Sequence, residues 1–314
     1  MLARLKKDIR GQMRAVPNII FNIWKKDYGR GIEITDTNII NYVRESFIAG
    51  RAECPNGCTT FEGDMYFIDC NSMYPYVLAS FSYPSHIYRP AADKDLGQNG
   101  GKKMGFYTCN VDQSGLGDQM NIIPVPKKTY DWEDKSLQTG VILNHVDIGM
   151  IRRYGGTVDV KSGYVFDALK DSPYREIIKI LYTERLTAES KDDKDLLKFA
   201  MNSLSGKIIQ FGYFHHASYF YSLARMWMYD IMYSQGRKNV LYTDTDSVLI
   251  RKDTYDQLSN STVKDFGPIF GDIIGQFKLD VRCDRAELHN SKRYLLTLNG
   301  QIVKDHRSQS LSKK

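Results

Sequence analysis

A chain of 314 residues, 42% of them hydrophobic and 25% charged, has an ordinary globular balance and can bury a substantial core in more than one subdomain. Its formal net charge of +6 permits a polyanionic partner without requiring one. No apolar run reaches transmembrane length, no signal peptide is present, and the five irregular cysteines form no disulfide framework. These features exclude a disulfide scaffold and predict a cytoplasmic setting, either a host cytoplasm or an organelle matrix, without a membrane partner.

The first region, residues 1–45, is basic and helix-prone, and Pro17 is predicted to break its helical pattern. Cys54 and Cys58 follow with the spacing of half a zinc knuckle. No second Cys or His pair with ligand spacing comes after them. This segment is therefore predicted to be a loop.

An apolar run at residues 65–68 predicts a strand that delivers Asp69 at its end. Pro75 limits the helix or turn that follows, because proline lacks an N–H and has a fixed φ. Further strands are predicted at 106–111, 122–125 and 164–166, and either a short helix or a strand–helix pattern at 141–154. Residues 174–188 predict an amphipathic helix with Ile177, Ile178, Leu181 and Leu186 as its apolar residues.

Residues 194–207 predict a helix with a polar stripe. Lys194, Lys198 and Asn202 recur at i, i+4 and i+8, so they share one helical face. A cationic stripe with an amide suits a bound triphosphate. The alternative is a solvated lysine face, which is the usual fate of such a stripe. The aromatic and Met-rich residues 214–233 are predicted to form a buried helix.

Residues 240–250 contain two apolar runs that flank Asp244 and Asp246, which predicts a hairpin or tight turn with both carboxylates at its tip. Two ionised aspartates this close repel each other. A bound cation that prefers oxygen ligands, such as Mg²⁺ or Mn²⁺, would relieve the repulsion. The alternative is a polar turn whose aspartates cap their own backbone. The similar setting of Asp69 favours metal binding.

Three of these segments form patterns in a fixed order. They are D-x-x-S-x-Y-P from Asp69, K-x-x-x-N-S-x-x-G from Lys198 and Y-x-D-T-D-S from Tyr242. In this order they resemble motifs A, B and C of the family B DNA polymerases. Motifs A and C are specific, and their spacing agrees with the family.

Two further segments extend the resemblance. Lys292 begins a K-x-Y pattern similar to another motif of the family. Residues 46–53 are similar to the Y-x-G-G motif of the protein-primed branch, which occurs in phages and linear plasmids. The resemblance covers most of the chain, from about Trp24 to Leu296.

The resemblance implies an α+β fold: a right-hand polymerase palm, made of an antiparallel sheet backed by helices, with a two-helix fingers subdomain. The implied segments are a linker region before the palm (1–45), the first palm part with motif A (46–165), the fingers with motif B (166–212), the second palm part with motif C and K-x-Y (213–300) and a disordered tail (301–314). No exonuclease motif is present, so proofreading is not expected from this chain. The thumb is predicted to be reduced or absent.

The resemblance also implies catalytic roles. Asp69 and Asp246 would bridge two Mg²⁺ ions, with Mn²⁺ as an alternative, and the Cys70 carbonyl would add a backbone ligand. Asp244 would be a supporting acidic residue. Lys198 would neutralise the triphosphate and could donate a proton toward the departing pyrophosphate.

Further implied contacts concern the nucleotide and the DNA. Tyr74 resembles the steric gate, a ring that packs under the sugar and leaves no room for a 2′-OH. The other implied nucleotide contacts are Lys194, Asn202, Gly206 and Arg185. The implied contacts with the primer or other DNA are Lys292, Tyr294, Gly50 and Arg51. Ser205 stands where the family usually has Tyr, which predicts looser packing at the nascent base pair and low fidelity.

Two functional hypotheses follow. The first is a template-directed DNA polymerase that adds deoxynucleotides to a primer 3′-OH or to the hydroxyl of a terminal protein, although the connection between motifs A and B is short for the insertion that contacts such a protein. The second is a partial polymerase fold that binds nucleic acid as a replication subunit without catalysis. In either case a separate chain carrying an exonuclease or a thumb is an expected partner.

Overall fold

The computed structural model describes residues 1–9, 13–127, 130–263 and 267–306. In these residues the helices are α1 (Leu2–Ile9), α2 (Val16–Asp27), α3 (Thr37–Glu45), α4 (Met73–Ser80), α5 (His145–Arg153), α6 (Arg175–Thr187), α7 (Lys191–Gln210), α8 (Phe214–Gln235) and α9 (Lys252–Ser259). The strands are β1 (Ala52–Glu53), β2 (Thr60–Cys70), β3 (Pro84–Pro90), β4 (Gly105–Asp112), β5 (Gln138–Asn144), β6 (Thr157–Ala168), β7 (Val240–Asp244), β8 (Ser247–Arg251), β9 (Thr262–Val263), β10 (Gly267–Pro268), β11 (Phe277–Asn290), β12 (Arg293–Leu298) and β13 (Gln301–Asp305). None of these helices is both long enough and apolar enough to cross a membrane.

The chain forms two compact units, each assembled from stretches that are separate in the sequence. The first unit consists of Met1–Ala49, Tyr74–Asp112 and Leu137–Leu223, and the second of Gly50–Met73, Gln113–Ser136 and Ala224–Lys314, as far as these are described. The predicted subdomain boundaries do not follow the units, because the predicted first palm part, 46–165, contributes to both. The names palm and fingers for particular ranges therefore stay predictions.

The second unit is built on a seven-stranded antiparallel sheet with the strand order β1-β7-β8-β2-β11-β12-β13. Residues 65–68 of β2 and 247–250 of β8 are buried without interruption, as in strands covered on both faces. Phe67, Leu241 and Tyr242 belong to the hydrophobic core of this sheet. Antiparallel sheets combined with helices confirm the predicted α+β fold class.

The last strand of this sheet corrects the predicted disordered tail at 301–314. Gln301–Asp305 forms β13 and pairs antiparallel with β12. The two strands are joined by Asn299 and Gly300, whose φ angles of +52° and +76° are those of a tight hairpin turn. Residues 307–314, the rest of the predicted tail, lie outside the described residues.

The predicted strand at 122–125 is wrong, and a buried glutamine explains why. The side-chain oxygen of Gln113 accepts hydrogen bonds from the N–H groups of Ile122 (2.9 Å) and Ile123 (3.2 Å), and its amide nitrogen donates to the Ile123 carbonyl (2.9 Å). These bonds satisfy backbone groups that a neighbouring strand would otherwise pair. Ile122 and Ile123 are therefore buried outside any strand, and Val125 forms an isolated antiparallel bridge with Asp131.

The first unit contains a four-stranded antiparallel sheet with the order β3-β6-β4-β5. The predicted strands at 106–111 and 164–166 lie within β4 and β6, and the strand–helix pattern at 141–154 is β5 followed by α5, so these predictions are confirmed. Asn144 caps α5 by accepting from the N–H groups of Val146 (3.0 Å) and Asp147 (3.2 Å).

Helices α6 and α7 of the same unit pack against each other, as predicted, and α2 packs against α7. Trp24 of α2 donates from Nε1 to the Pro173 carbonyl (2.9 Å) and stacks on Tyr174 (4.8 Å between ring centroids). Pro17 does not break the helix; it lies in the first turn of α2, where no hydrogen-bond partner is lost. The inward orientation expected for Leu186 is wrong, because this residue in the last turn of α6 is 64% exposed.

The first unit contains three wholly or largely buried histidines, and from them we expect the protein to become less stable in mild acid. Burial lowers the pKa of His145 and of His216 to about 4 and lowers the pKa of His215 well below its ordinary value. Between pH 4 and the ordinary value of 6.5, the unfolded chain binds more protons than the folded chain. The free energy of unfolding should therefore fall as the pH falls through this window.

Urea unfolding at about pH 7.5, 6 and 5 measures this loss, and each unit of pKa difference corresponds to about 1.4 kcal/mol. His216 donates from Nε2 to the Pro84 carbonyl (2.8 Å) and accepts at Nδ1 from the Tyr174 hydroxyl (2.6 Å). His216→Gln should flatten the pH dependence, whereas His86→Gln, at an exposed position, should not. Equal slopes for all three proteins would contradict this explanation.

Candidate active site

A row of side chains crosses the centre of the seven-stranded sheet. Asp69 on β2 lies directly opposite Ser247 on β8, and Ser247 lies directly opposite Asp244 on β7. Directly opposed residues of antiparallel strands project from the same face, so the three side chains share one surface. We call Asp69, Ser247 and Asp244 the acidic row. It places two predicted carboxylates on one face of the sheet.

The turn between β7 and β8 brings the third predicted carboxylate to the same place. Thr245 has a φ of +62°, and the Asp246 N–H donates to the Asp244 carbonyl (2.7 Å), which closes a tight turn. The Asp246 carbonyl accepts a hydrogen bond from the Cys70 N–H (2.8 Å). Asp246 therefore lies beside the end of β2, where Asp69 is the neighbour of Cys70.

The Cys70 thiol is sensitive to the charge of this site. Burial raises its pKa, the carboxylates of Asp246 and Asp69 raise it further, and a hydrogen bond with Trp227 opposes the shift. The thiol donates to the Gly275 carbonyl (3.3 Å). Because a protonated thiol is a poor ligand for a hard cation, Cys70 fits its predicted role only through its backbone carbonyl.

The Asp244 carboxylate is engaged by the protein itself. Its Oδ1 accepts from Thr245 Oγ1 (2.9 Å) and lies 3.6 Å from Lys292 Nζ. Its Oδ2 accepts from the Tyr242 hydroxyl at 3.5 Å. These contacts take up part of the acceptor capacity of the carboxylate. They support the auxiliary role predicted for Asp244.

The two residues of the K-x-Y motif have different environments. The Lys292 side chain is 65% exposed, and its backbone N–H donates to the Tyr242 hydroxyl (2.8 Å), which ties this turn to motif C. Tyr294 is only 3% exposed, and its ring packs against Phe67 (5.6 Å) and Tyr242 (5.1 Å). The structure thus places Tyr294 in the core, which disfavours its predicted primer contact, whereas Lys292 is accessible to a phosphate.

Arg51 also differs from its prediction as a DNA contact. The residue is 4% exposed, and its guanidinium pairs with the buried Glu53. The neighbouring Gly50 is half-buried. Sequence position alone suggested an accessible basic residue, but the structure gives Arg51 partners inside the protein.

The oxygen donors of this site fit a hard divalent cation. Mg²⁺ commonly takes one or two carboxylates and completes its shell with water and substrate phosphates. No group of three or more His, Cys, Asp or Glu side chains in the described part of the chain is arranged to hold a metal alone. Asp69 and Asp246 supply carboxylate oxygens, which are the ligand type that such a cation prefers.

Four predicted nucleotide contacts lie along one face of α7 in the first unit. Lys194, Lys198, Asn202 and Gly206 are all exposed. The buried side of the helix carries Leu196, Leu197, Ala200, Met201, Leu204 and Ile208. The hydroxyl of Ser205, which is 5% exposed, donates to the Asn202 carbonyl (2.9 Å). This confirms the predicted shared face, and both interpretations of the stripe remain open.

The remaining predicted contacts also lie in the first unit. Tyr74 of α4 is half-buried and packs edge-on against Phe220 (4.9 Å) and Tyr221 (5.3 Å) of α8. A hydrogen bond with Tyr74 opposes the rise that burial causes in the pKa of Tyr221. The Tyr74 ring is thus held by aromatic neighbours. Arg185 is half-exposed in the last turn of α6.

Lys278 is a neighbour of the acidic row that sequence reasoning did not predict. It lies on β11 directly opposite Asp69 and is exposed, so its side chain shares the face of the acidic row. The positively charged ammonium group of Lys278 can interact with a phosphate or offset the negative charge of the carboxylates. The sequence offers no local signal for this residue, because the pairing of β11 with β2 is a long-range feature.

Comparison with solved structures shows a known fold. Phi29 DNA polymerase in complex with primer–template DNA has 16% sequence identity and a TM-score of 0.69, over 93% of this chain and 57% of that chain. The orthorhombic form of Phi29 DNA polymerase has 16% identity and a TM-score of 0.70, over 93% of this chain and 58% of that chain. The present chain thus spans somewhat more than half the length of these polymerases. At this identity the likeness shows the fold alone.

Comparison by sequence gives the family. No curated protein matches the chain in a direct sequence search. The family model for DNA polymerase type B, organellar and viral, matches residues 12–213 and therefore covers more than half of the chain. The matched range includes Asp69 of motif A and Lys198 of motif B. The chain belongs to the organellar and viral type B DNA polymerases.

Proposed function

We propose that this chain is the catalytic region of a template-directed DNA polymerase of the protein-primed branch, which adds deoxynucleotides to a primer 3′-OH. The observation that carries the proposal is the hydrogen bond from the Cys70 N–H to the Asp246 carbonyl (2.8 Å). It joins the end of β2, which bears Asp69, to the turn between β7 and β8, which bears Asp246. Clustered carboxylates that repel each other serve a cation site and have no use in a simple binding module.

The reaction forms a bond between the primer 3′-oxygen and the α-phosphorus and breaks the bond from that phosphorus to the bridging oxygen of pyrophosphate. Asp69 and Asp246 would hold two Mg²⁺ ions, which supply charge stabilisation for the attacking and leaving oxygens. Lys198 would neutralise the triphosphate and could donate a proton to the departing pyrophosphate. Lys292 would hold a primer phosphate without reading its sequence.

The proposed partners are primer–template DNA and deoxynucleoside triphosphates. The solved Phi29 DNA polymerases include a complex with primer–template DNA and incoming nucleotides, with 15% identity to this chain and a TM-score of 0.68. A terminal protein hydroxyl is an alternative primer in the proposed branch. A separate chain that carries an exonuclease or a thumb is a further proposed partner.

One observation favours a second candidate, a nucleic-acid-binding subunit without catalysis. Ser205 stands at the position where the family usually has Tyr, and its hydroxyl is bonded within its own helix. A small side chain there cannot supply the ring packing of the nascent base pair. Under this alternative the chain binds primer–template DNA but adds no nucleotide.

Primer extension separates the two candidates. The purified chain is incubated with labelled primer–template DNA, four deoxynucleotides and Mg²⁺, and the products are resolved by length. Template-dependent extension is expected. DNA binding with no extension in either Mg²⁺ or Mn²⁺ would favour the second candidate.

Tyr74 should control the choice of sugar. In Tyr74→Ala, the ring that would exclude a 2′-OH is gone, so the preference for deoxynucleotides over ribonucleotides should fall roughly tenfold or more. Single-nucleotide addition with dCTP and CTP measures the ratio. Tyr74→Phe is the matched control: it keeps the ring held by Phe220 and Tyr221 and should retain discrimination. An unchanged ratio in Tyr74→Ala would mean that this residue only packs against α8.

A further inference from the structure

Arg51 lies buried inside the second unit, with partners on several sides of its guanidinium. Its Nε donates to Glu53 Oε1 (2.6 Å), its Nη2 lies 2.5 Å from the same oxygen, and its Nη1 donates to the Asn121 carbonyl (2.6 Å). The guanidinium also lies over the rings of Trp132 (4.6 Å) and Tyr229 (5.9 Å). A guanidinium held by hydrogen bonds and two aromatic faces is fixed in position and hidden from DNA.

The backbone of the same residue holds the tip of motif C. The Arg51 carbonyl accepts a hydrogen bond from the Thr245 N–H (2.7 Å). Thr245 is the residue between Asp244 and Asp246, and its φ of +62° is a conformation that β-branched residues rarely adopt. The surroundings must therefore hold this turn in place. Next to it, Ala52 pairs directly with Asp244 across β1 and β7.

Part of the anchor of Arg51 comes from the 113–136 stretch. Asn121 and Trp132 belong to this stretch, and the amide of Asn121 donates to the Asp134 carbonyl (2.7 Å). Gln113 fixes the backbone at Ile122 and Ile123. The Arg51 side chain thus links this stretch to the strand that touches the motif C tip.

We infer that Arg51 is a positioning residue for Asp244 and Asp246: its anchored side chain fixes its own carbonyl against the Thr245 N–H. This inference rests on the proposed polymerase function for its catalytic consequence, but the structural link is independent of activity. Arg51 does not touch DNA or nucleotide. It acts through the geometry of the turn that presents the carboxylates.

The main test uses the double variant Arg51→Met, Glu53→Gln. The single variant Arg51→Met would leave the Glu53 carboxylate buried without its partner, and the double change removes both charges. Hydrogen–deuterium exchange of the peptide over residues 240–250 reports on the Thr245 N–H. Exchange there should rise about tenfold, the scale of one lost hydrogen bond, while the peptides of β12 stay unchanged.

Kinetics and DNA binding supply further readouts, with kcat referred to the concentration of folded protein so that a general loss of stability does not lower it. In the double variant kcat for single-nucleotide addition should fall roughly tenfold or more, while KM for the nucleotide changes little. Arg51→Lys keeps the charge and should restore part of the rate. The dissociation constant for DNA and its salt dependence should match the wild type, whereas loss of a phosphate contact would lower the salt slope by about 0.9.

Arg285→Met is the matched control. Arg285 pairs with the exposed Glu62 and the half-exposed Glu287 in the same sheet, on β2 and β11 rather than at the motif C turn. It should change none of these readouts. The inference would be overturned if the Thr245 N–H of the double variant exchanged at the wild-type rate. It would also be overturned if the salt dependence of DNA binding by the double variant were weaker than that of the wild type. If the wild-type chain does not extend primers, the polymerase proposal fails, and exchange and salt slope still decide the role of Arg51.

Discussion

Replacing Asp246 with asparagine is expected to lower primer extension by roughly a thousandfold or more while the affinity for duplex DNA stays nearly unchanged. The Asp246 carbonyl accepts the Cys70 N–H and its own N–H donates to the Asp244 carbonyl. These are backbone bonds, so a carboxamide side chain keeps them and removes only one negative charge. Single-turnover nucleotide addition gives the rate, and fluorescence anisotropy with labelled primer–template gives the affinity.

Asp256→Asn is the matched control for this experiment. Asp256 is paired with Lys252 on the exposed surface of α9 in the same unit, so its replacement should leave the rate unchanged. A melting experiment gives a readout besides activity. Mg²⁺ together with a deoxynucleoside triphosphate should raise the melting temperature of the wild type but not of Asp246→Asn. Extension by Asp246→Asn within about tenfold of the wild type would remove Asp246 from the catalytic site.

The strands that carry the carboxylates could be predicted because their signals are local. Residues 65–68, 240–243 and 247–250 are uninterrupted buried runs, which stand out from the polar residues at their ends. Asp69 and Asp244 follow two of these runs directly. The sequence could not show that Asp69, Ser247 and Asp244 form one row, since strand register is a long-range property.

Arg51 shows a limit of motif-based prediction. Its place in a motif suggested a DNA contact, because basic residues are usually exposed. Its burial depends on Asn121 and Trp132, which come from a stretch without periodic apolar pattern. Long-range partners of this kind cannot be read from local sequence.

The strand β13 shows a different limit, since the turn before it has a local signal and the strand itself has none. Asn299-Gly300 is the dipeptide most typical of a two-residue hairpin turn. The following strand has exposed Ile302 and Val303, so no alternation of buried and polar residues distinguished it from a polar tail. Pairing with β12 supplies the stabilisation that its side chains do not.

The polar stripe of α7 either binds a triphosphate or is a solvated lysine face. The two interpretations predict different activities for variants of Lys198. If the stripe binds the triphosphate, Lys198→Ala should lower kcat/KM for nucleotide addition by about a hundredfold, the scale of one lost charged contact with a developing negative charge. Lys198→Arg should recover part of this loss, since it keeps the charge. The effect of Lys194→Ala should be smaller, because the motif resemblance gives the principal role to Lys198.

Lys207→Ala supplies the control on the same helix. At 100° per residue, Lys207 lies about half a turn around the axis from Lys198, and its Nζ donates to Gln210 Oε1 (2.6 Å) within its own helix. Its replacement removes an equal charge from a different face and should leave kcat/KM within about twofold of the wild type. The stripe would be identified as a solvated lysine face if kcat/KM fell by a similar small factor in all three variants, Lys194→Ala, Lys198→Ala and Lys207→Ala. A large loss confined to Lys198, with duplex affinity and its salt dependence unchanged, would assign that lysine to the nucleotide, because a phosphate contact with the duplex would alter the salt slope.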